Sequence, residues 1–198
     1  MIRGNKIAWG ITLLAAFGGV WLLRRGRQST TPSLINTDIM KTYPEYPEYD
    51  MRSYGKALSR GYRNNNPVNM EYNKKNNWVG QTGISPEGRF AQFSSLIYGY
   101  RAALALLRGS GYIGKGINTI RKMIEKFAPR KENYTDNYIN FVAAKSGIDQ
   151  NTVIAKNDKD SLCRIVWAMA QFENENTQTA QELGLPNINL IHEAWGLL

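Results

Sequence analysis

Cysteine and histidine are nearly absent from this chain. Its 198 residues include one cysteine, Cys163, and one histidine, His192. A disulfide within the chain needs two cysteines, and a zinc cluster needs several cysteine or histidine ligands, so the sequence excludes both. We therefore predict no metal site and no cofactor, and any acid–base catalysis falls to carboxylates, lysine or tyrosine.

Acidic residues are absent from the first 27 positions, which carry five arginine and lysine residues. The formal charge of +9 therefore divides into +5 for this segment and +4 for the rest of the chain. A charge of +4 on the larger part gives little support to specific nucleic-acid binding. It fits an anionic cell-envelope surface equally well.

Charge is also missing from the longest apolar run. Ile7 to Leu23 is seventeen residues without a charged side chain, which is about 25 Å of helix at about 1.5 Å per residue. Trp9 and Trp21 lie near its ends, as in the aromatic belts of membrane helices. The alternative is a cleaved signal peptide, but no small-residue cleavage site precedes Arg24. We predict one transmembrane helix that anchors residues 1–27 in a lipid bilayer.

Residues 28–58 are predicted to form an extended tether. A Ser/Thr/Pro stretch at 29–33 is followed by a repeated Pro-Glu-Tyr at 44–49, and such sequence is stiff and extended. The simplest interpretation is a spacer between membrane and domain. The alternative is a docking peptide that presents tyrosines to a partner, namely Tyr43, Tyr46, Tyr49 and Tyr54.

The rest of the chain, residues 59–198, is mainly helical by its apolar spacing. The predicted helices are Leu96–Arg108, 117–127, 133–146, 158–173, 177–183 and 189–195. The sequence has no alternation of strands and helices and no phosphate-binding loop. We predict an α+β domain, predominantly helical, with a small β lobe near its start.

The most unusual stretch is Arg60 to Ala102, which reads RGYRNNNPVNMEYNKKNNWVGQTGISPEGRFAQFSSLIYGYRA. Seven of the fourteen residues from Asn64 to Asn77 are asparagine, and Asn, Gly and Pro all oppose a helix. The apolar residues in between need burial, so the stretch is not a linker. We predict an irregular β lobe whose amides bind a ligand rich in hydroxyl and carbonyl groups.

Several blocks of the sequence together follow a pattern found in phage proteins. These are Arg60-Gly61, Arg63 to Pro67, Asn69, Trp78, Gly80, Arg89-Phe90, Phe93, Gly99, Arg101-Ala102, Ala128-Pro129, Glu132-Asn133, Tyr138-Ile139 and Glu173. The pattern resembles that of virion-associated muralytic proteins, which reads R-G-I-R-N-N-N-P-G-N-I and then W-x-G, R-F-x-x-F and G-x-R-A. Tyr62 and Val68 depart from it. Since Val68 replaces a glycine, the turn after Pro67 should not need a positive φ.

This resemblance implies a lysozyme-like domain at residues 59–198 that cleaves peptidoglycan. A membrane span ahead of it implies a tailless phage with an internal lipid membrane, although a wall enzyme of the bacterial inner membrane would have the same architecture. The implied partners are peptidoglycan, the lipid bilayer at residues 7–23, and other membrane or capsid proteins of the virion. The implied location is the virion inner membrane or the host inner membrane.

Glu173 is the leading candidate for a catalytic acid. It ends the most apolar of the predicted helices, at IVWAMAQFE, and burial against apolar neighbours raises the pKa of a glutamate. Lysozyme-like glycosidases and lytic transglycosylases similarly end an apolar helix with the catalytic glutamate. The alternative is an ordinary helix-end acid, although a negative charge at a helix C-terminus is mildly unfavourable.

The order of the segments differs from that of related glucosaminidases, in which an Asn-rich hairpin follows the glutamate helix. Here the hairpin comes first. We therefore predict a circularly permuted arrangement, in which residues 60–93 fold back onto the end of the 160–173 helix. The same comparison implies that Glu87 is a second catalytic carboxylate, because glucosaminidases carry a glutamate at this place in the β lobe.

The resemblance also implies a set of glycan-binding side chains. Those that would hydrogen-bond acetamido and lactyl groups are Arg63, Asn64, Asn65 and Asn69. Those that would stack on sugar faces are Trp78, Tyr98 and Tyr138. The alternative is structural, with asparagines scaffolding turns and aromatic rings belonging to the core.

Two other functions stay open at this level. The domain could be a catalytically inactive structural or wall-binding module of the virion. It could also be an endopeptidase that acts on the cross-linking peptide of murein. The scarcity of cysteine and histidine gives the endopeptidase weak mechanistic support.

Overall fold

The computed structural model describes residues 44–129 and 134–198. Within these ranges the chain forms a mainly helical body with one two-stranded sheet, which confirms the predicted α+β class. The α-helices are α1 (Arg60–Arg63), α2 (Leu96–Arg108), α3 (Ile120–Phe127), α4 (Thr135–Ser146), α5 (Lys159–Glu173), α6 (Gln178–Glu182) and α7 (Ile188–Gly196). The strands are β1 (Gln81–Ile84) and β2 (Ala91–Phe93). Short 3₁₀ helices cover Pro47–Tyr49, Met51–Ala57 and Ile113–Lys115.

The predicted transmembrane helix at residues 7–23 lies outside the described residues. So does the first part of the predicted tether, residues 28–43. Among the helices that are described, none combines the length and the apolar composition needed to cross a bilayer.

Short polar side chains and glycine mark the ends of the helices, where backbone groups lack partners within the helix. Asp158 precedes α5 and accepts a hydrogen bond from the Ser161 backbone N–H at 3.0 Å. Thr119 caps α3 and Asn187 caps α7 in the same manner. Gly147, in the left-handed conformation, ends α4. These local signals explain why most helix positions follow from the sequence.

The core lies where α2 and α5 pack against each other and against α4 and α7. Seven side chains of α5 are buried, and they are Leu162, Cys163, Ile165, Val166, Ala168, Met169 and Ala170. A fully buried aliphatic side chain contributes roughly 1.5–3 kcal/mol by removal from water. Helix α5 is therefore held firmly along its length, which fixes the position of its last residue, Glu173.

The β lobe is small and held in one register. Strands β1 and β2 are antiparallel, with Ile84 opposite Ala91 and an irregularity between Gln81 and Gly83. A separate bridge pairs Glu71 with Phe90. It brings the Asn-rich segment alongside β2, so the lobe is one layer that faces the helices.

One close approach joins α2 to the Asn-rich segment. A Cβ atom at Gly99 would lie 1.9 Å from the carbonyl oxygen of Asn65 and 2.7 Å from Cδ of Pro67. Only glycine lets the two backbones approach this closely. This contact fixes the position along α2 at which the loop from Asn64 to Asn69 packs against the helix.

The described part of the predicted tether is not extended. Residues 44–58, here called the strap, pack on the domain, with Met51 and Leu58 in the core. Asn65 holds the strap, because the Met51 backbone N–H donates to its Oδ1 at 2.8 Å and its Nδ2 donates to Asp50 Oδ1 at 2.9 Å. The prediction followed local proline content, whereas the strap is held by bonds to a distant loop. The compact part of the chain therefore begins before residue 59.

Replacing Asp50 by alanine is expected to lower the free energy of unfolding by about 1–2 kcal/mol. Hydrogen bonds from Arg52, foremost, and from Asn65 lower the pKa of Asp50 to about 2. Because folding lowers the pKa of Asp50, its ionised carboxylate stabilises the fold fully at pH values above the ordinary pKa of 3.8. That contribution is lost as the pH falls toward about 2.

Denaturant unfolding at several pH values measures this effect. The difference between the parent chain and the Asp50→Ala variant should shrink between pH 4 and pH 2. Glu48→Ala is the control, since Glu48 is exposed on the same strap. Equal losses for both variants would show that Asp50 has no special role.

Candidate active site

Glu173 lies at the C-terminal end of α5, directly against the Asn-rich loop. Asn69 Nδ2 donates to Glu173 Oε2 at 3.1 Å and to the Glu173 backbone oxygen at 3.2 Å. Asn69 has a φ of +50°, which asparagine tolerates better than most residues. The predicted meeting of the β lobe and the end of α5 is therefore confirmed.

The next residue, Asn174, ties the same loop to the helix end. Its Nδ2 donates to the backbone oxygens of Pro67 at 2.6 Å and Ala170 at 2.8 Å, and its Oδ1 accepts from Ser59 Oγ at 2.7 Å. Gly61 makes room for this side chain, since a Cβ at Gly61 would lie 2.3 Å from Asn174 Oδ1. These bonds hold Asn69 and Glu173 in a fixed relation.

The carboxyl of Glu173 is in an environment that favours its neutral form. Burial raises its pKa, while the hydrogen bond from Asn69, the Tyr138 hydroxyl and the charge of Arg60 all act to lower it. Burial outweighs the other three. Tyr138 lies fully buried behind the site, and its ring stacks on Phe172 with centroids 3.9 Å apart.

A cleft of about 600 Å³ opens in front of Glu173. This volume falls in the usual range for ligand sites in proteins. One wall is polar and comes from the β lobe, with Asn69, Glu71, Tyr72, Asn73, Asn76 and Trp78. The opposite wall is largely apolar and comes from α2, α3 and the segments after them, with Leu106, Tyr112, Phe127, Ala128 and Pro129. The cleft pairs a half-buried acid with amides and an aromatic ring.

The consecutive asparagines mostly build the loop rather than line the cleft. Asn64, Asn65 and Asn66 are buried. Asn66 Nδ2 donates to the backbone oxygens of Met70 and Ala91, each at 2.9 Å, and its Oδ1 accepts from the Met70 N–H. Of the four asparagines between 64 and 69, Asn69 alone lines the cleft. Neither Asn64 nor Asn65 lines the cleft, so their predicted binding roles are wrong for it, and the bonds of Asn65 to the strap fit the structural alternative.

Three further binding predictions do not fit the geometry. Tyr98 and Tyr138 are 3% and 0% exposed, so neither ring can stack on a sugar. Tyr98 instead packs edge-on against Tyr46 of the strap, and its hydroxyl donates to the Pro44 oxygen. Arg63 is half-buried at the end of α1 and does not line the cleft. Trp78 does line the cleft, as expected of a stacking residue.

Glu87 differs from Glu173 in every respect that matters for an acid. It is exposed in the turn after β1 and does not line the cleft. Hydrogen bonding from Ser85, foremost, lowers its pKa, with smaller contributions from Asn64 and Arg60. Glu87 is therefore ionised at neutral pH, and it lies outside the cleft that holds Glu173.

Arg60 is a site residue that the sequence reasoning missed. Its Nε donates to Asn69 Oδ1 at 3.4 Å, and its guanidinium carbon lies 4.1 Å from the centre of the Phe90 ring. Arg60 opens the Arg-Gly block, so its motif position was the available signal. Within residues 44–129 and 134–198, no three histidine, cysteine or acidic side chains lie close enough to hold a metal ion.

Comparison with known proteins gives one informative match. The chain is similar to Protein P5 of Pseudoalteromonas phage PM2, with 34% identity over 128 residues. The aligned part is 63% of this chain and 78% of that protein. No protein-family model matches the chain.

Proposed function

Because the chain belongs to the same family as Protein P5 of Pseudoalteromonas phage PM2, we propose that it is a phage virion protein whose domain cleaves the glycan strand of peptidoglycan. The observation that carries the proposal is the Glu173 carboxyl. It is buried enough for a raised pKa, held by Asn69, and open to a cleft of about 600 Å³. A carboxylic acid kept neutral near a bound glycan can protonate the glycosidic oxygen.

The proposed reaction begins with proton transfer from Glu173. The proton goes to the oxygen between N-acetylmuramic acid and N-acetylglucosamine, and the bond from that oxygen to the anomeric carbon breaks. The Glu173 carboxylate then takes the proton of the muramic 6-hydroxyl, whose oxygen bonds to the anomeric carbon. The product is an anhydro sugar, and no water is consumed.

The arrangement of carboxylates favours this one-acid route over hydrolysis. A hydrolase of the two-carboxylate type needs a second carboxyl within about 5–10 Å of the first, across the bond to be cleaved. Glu71 also lines the cleft, but Arg89 pairs with it at 2.8 Å. Glu87 lies outside the cleft. Glu173 is therefore the one candidate acid among the described residues that both lines the cleft and has a raised pKa.

The proposed setting of the enzyme is a membrane. Residues 7–23 would anchor the chain in a virion or host inner membrane, and the domain would face the murein layer. Its neighbours there would be other membrane or capsid proteins of the virion. The apolar run from Ile7 to Leu23 supports this part of the proposal.

Digestion of purified murein by the full chain tests the function. Mass spectra identify the bond: anhydro-muropeptides are expected, reducing ends would indicate a hydrolase, and free amines an endopeptidase. A chain that binds murein without releasing any product would be the inactive wall-binding module.

The pH dependence of cleavage is expected to follow Glu173. The acid must carry its proton, so the rate should fall as the pH rises through the raised pKa. Three groups face this carboxyl and lower its pKa: Asn69, Tyr138 and Arg60. Replacing Tyr138 by phenylalanine removes one of them. The alkaline limb of the rate profile should then move to higher pH.

Tyr100→Phe is the matched control for this experiment. Tyr100 is also fully buried, but it lies in α2 and does not act on the Glu173 carboxyl. The alkaline limb of the pH–rate profile of Tyr100→Phe should coincide with that of the parent chain. A Tyr138→Phe limb that also coincides would remove Tyr138 from contact with the acid.

A further inference from the structure

Two arginines lie against one aromatic ring at the rim of the cleft. The guanidinium carbons of Arg60 and Arg89 are 4.1 Å and 5.1 Å from the centre of the Phe90 ring. Arg89 is paired with Glu71, at 2.8 Å from its Nη2 and 2.9 Å from its Nε. Both guanidinium groups therefore pack on the Phe90 ring, but among the described residues only Arg89 is ion-paired with a carboxylate.

Arg60 forms no direct ion pair with the residues that the structure describes, although its charge acts on Glu173 and Glu87. Its Nε donates to Asn69 Oδ1 at 3.4 Å, and its two terminal nitrogens make no hydrogen bond within that part of the chain. Lys126 is the third cationic side chain that lines the cleft, and its Nζ already donates a hydrogen bond to the Gly111 oxygen at 2.9 Å. An exposed guanidinium fork is thus held in place with its outer donors open to the cleft.

The partner that fits this fork is planar and anionic. A carboxylate accepts two parallel N–H bonds from a guanidinium, which is stronger and more specific than contact with a neutral group. Packing of Arg60 on Phe90 reduces the freedom lost when such a pair forms. The position is one amide away from Glu173, because Asn69 bonds to both residues.

We propose that Arg60 is a substrate-binding residue that recognises a carboxylate carried by the glycan beside the bond to be cleaved. The inference rests on the proposed function and names the chemical feature that its substrate must have. In murein that carboxylate has two sources. One is the lactyl group of a muramic acid that has lost its peptide, and the other is a carboxylate of the attached peptide. A polymer of N-acetylglucosamine alone has neither, so the cleft should discriminate against it.

Titration calorimetry on the full chain tests this, with Glu173→Gln as background so that nothing is cleaved. The probes are an N-acetylglucosamine tetramer, a peptide-free tetramer of alternating muramic acid and glucosamine units, and the same tetramer with its peptides. Arg60→Gln should weaken binding of at least one acidic probe about tenfold. It should change binding of the neutral tetramer less than about twofold. Arg60→Lys should restore part of the loss, since it keeps the charge without the fork.

Arg63→Gln is the matched control, because it removes the same charge from the same short helix, α1, and Arg63 does not line the cleft. Its effect on all three probes should stay below about twofold. A loss confined to the peptide-free tetramer identifies the lactyl carboxylate, and a loss confined to the peptide-bearing one identifies a peptide carboxylate. Equal losses for acidic and neutral probes, or no loss for any, overturn the proposal.

Failure of this inference is separable from failure of the proposed function. If the Glu173→Gln protein binds the acidic probes and the Arg60 variant binds them equally well, the carboxylate site is wrong while glycan cleavage stands. If no probe binds and the parent chain releases no product from murein, both are wrong. A circular dichroism spectrum of each variant confirms that the comparison is between folded proteins.

Discussion

Glu173→Gln is expected to reduce the rate of murein cleavage by about a thousandfold or more, which corresponds to about 4 kcal/mol of transition-state stabilisation. Glutamine has the same shape, and its carbonyl oxygen can still accept the hydrogen bond that Asn69 Nδ2 makes at 3.1 Å. What it cannot do is give up a proton to the glycosidic oxygen. The fold and the affinity for murein should therefore survive while the chemistry is lost.

A zymogram of the full chain against purified murein, followed by rates of muropeptide release, measures the change. Glu175→Gln is the control, since Glu175 is exposed two residues further on and does not line the cleft in front of Glu173. It should release product at the parent rate. Clearing by Glu173→Gln that equals the parent's would remove Glu173 from the reaction.

Gly99→Ala is expected to be strongly destabilising, with a loss of about 3 kcal/mol or more in the free energy of unfolding. An alanine in the middle of α2 would ordinarily favour the helix, by about 0.5–1 kcal/mol relative to glycine. Here its Cβ would meet the Asn65 backbone oxygen at 1.9 Å, and neither backbone can yield without moving the loop. The sign of the usual effect is therefore reversed.

The same substitution should also reduce murein cleavage in whatever protein remains folded, because the loop that it displaces carries Asn69. Denaturant unfolding and muropeptide release are measured on one preparation. Gly196→Ala is the matched control, as Gly196 lies in α7 with no atom within 4 Å of a Cβ placed there. It should be neutral or slightly stabilising. A Gly99→Ala protein as stable as Gly196→Ala would mean that the contact between α2 and the loop is looser than described.

The helices were predictable because their signals are local. The prediction of Leu96–Arg108 coincides with α2, and Asp158, a short polar residue ahead of an apolar run, caps α5. The absence of a positive φ at Val68 also followed from its side chain, and it is confirmed. In each case the deciding interaction spans a few residues, so the sequence contains it directly.

The site was less predictable because identical side chains have different partners. Asn65 and Asn69 both have a positive φ, yet one is buried under the strap and the other contacts the acid. No local rule separates them, since burial depends on what the distant segments 44–58 and 173–174 cover. Tyr138 shows the same limit: its motif position marked it as important, but only packing reveals that it lies behind Glu173 rather than in front.

The bond between Asn69 and Glu173 joins positions 104 residues apart in the chain. The proposed active site therefore cannot form until synthesis has passed residue 173 and the earlier loop has docked on α5. Long-range contacts of this kind also form late in folding, after local helices are in place. The proposed wall-cleaving activity should thus be absent from chains that end before residue 173, and such products released early from the ribosome should be harmless to the cell that makes them.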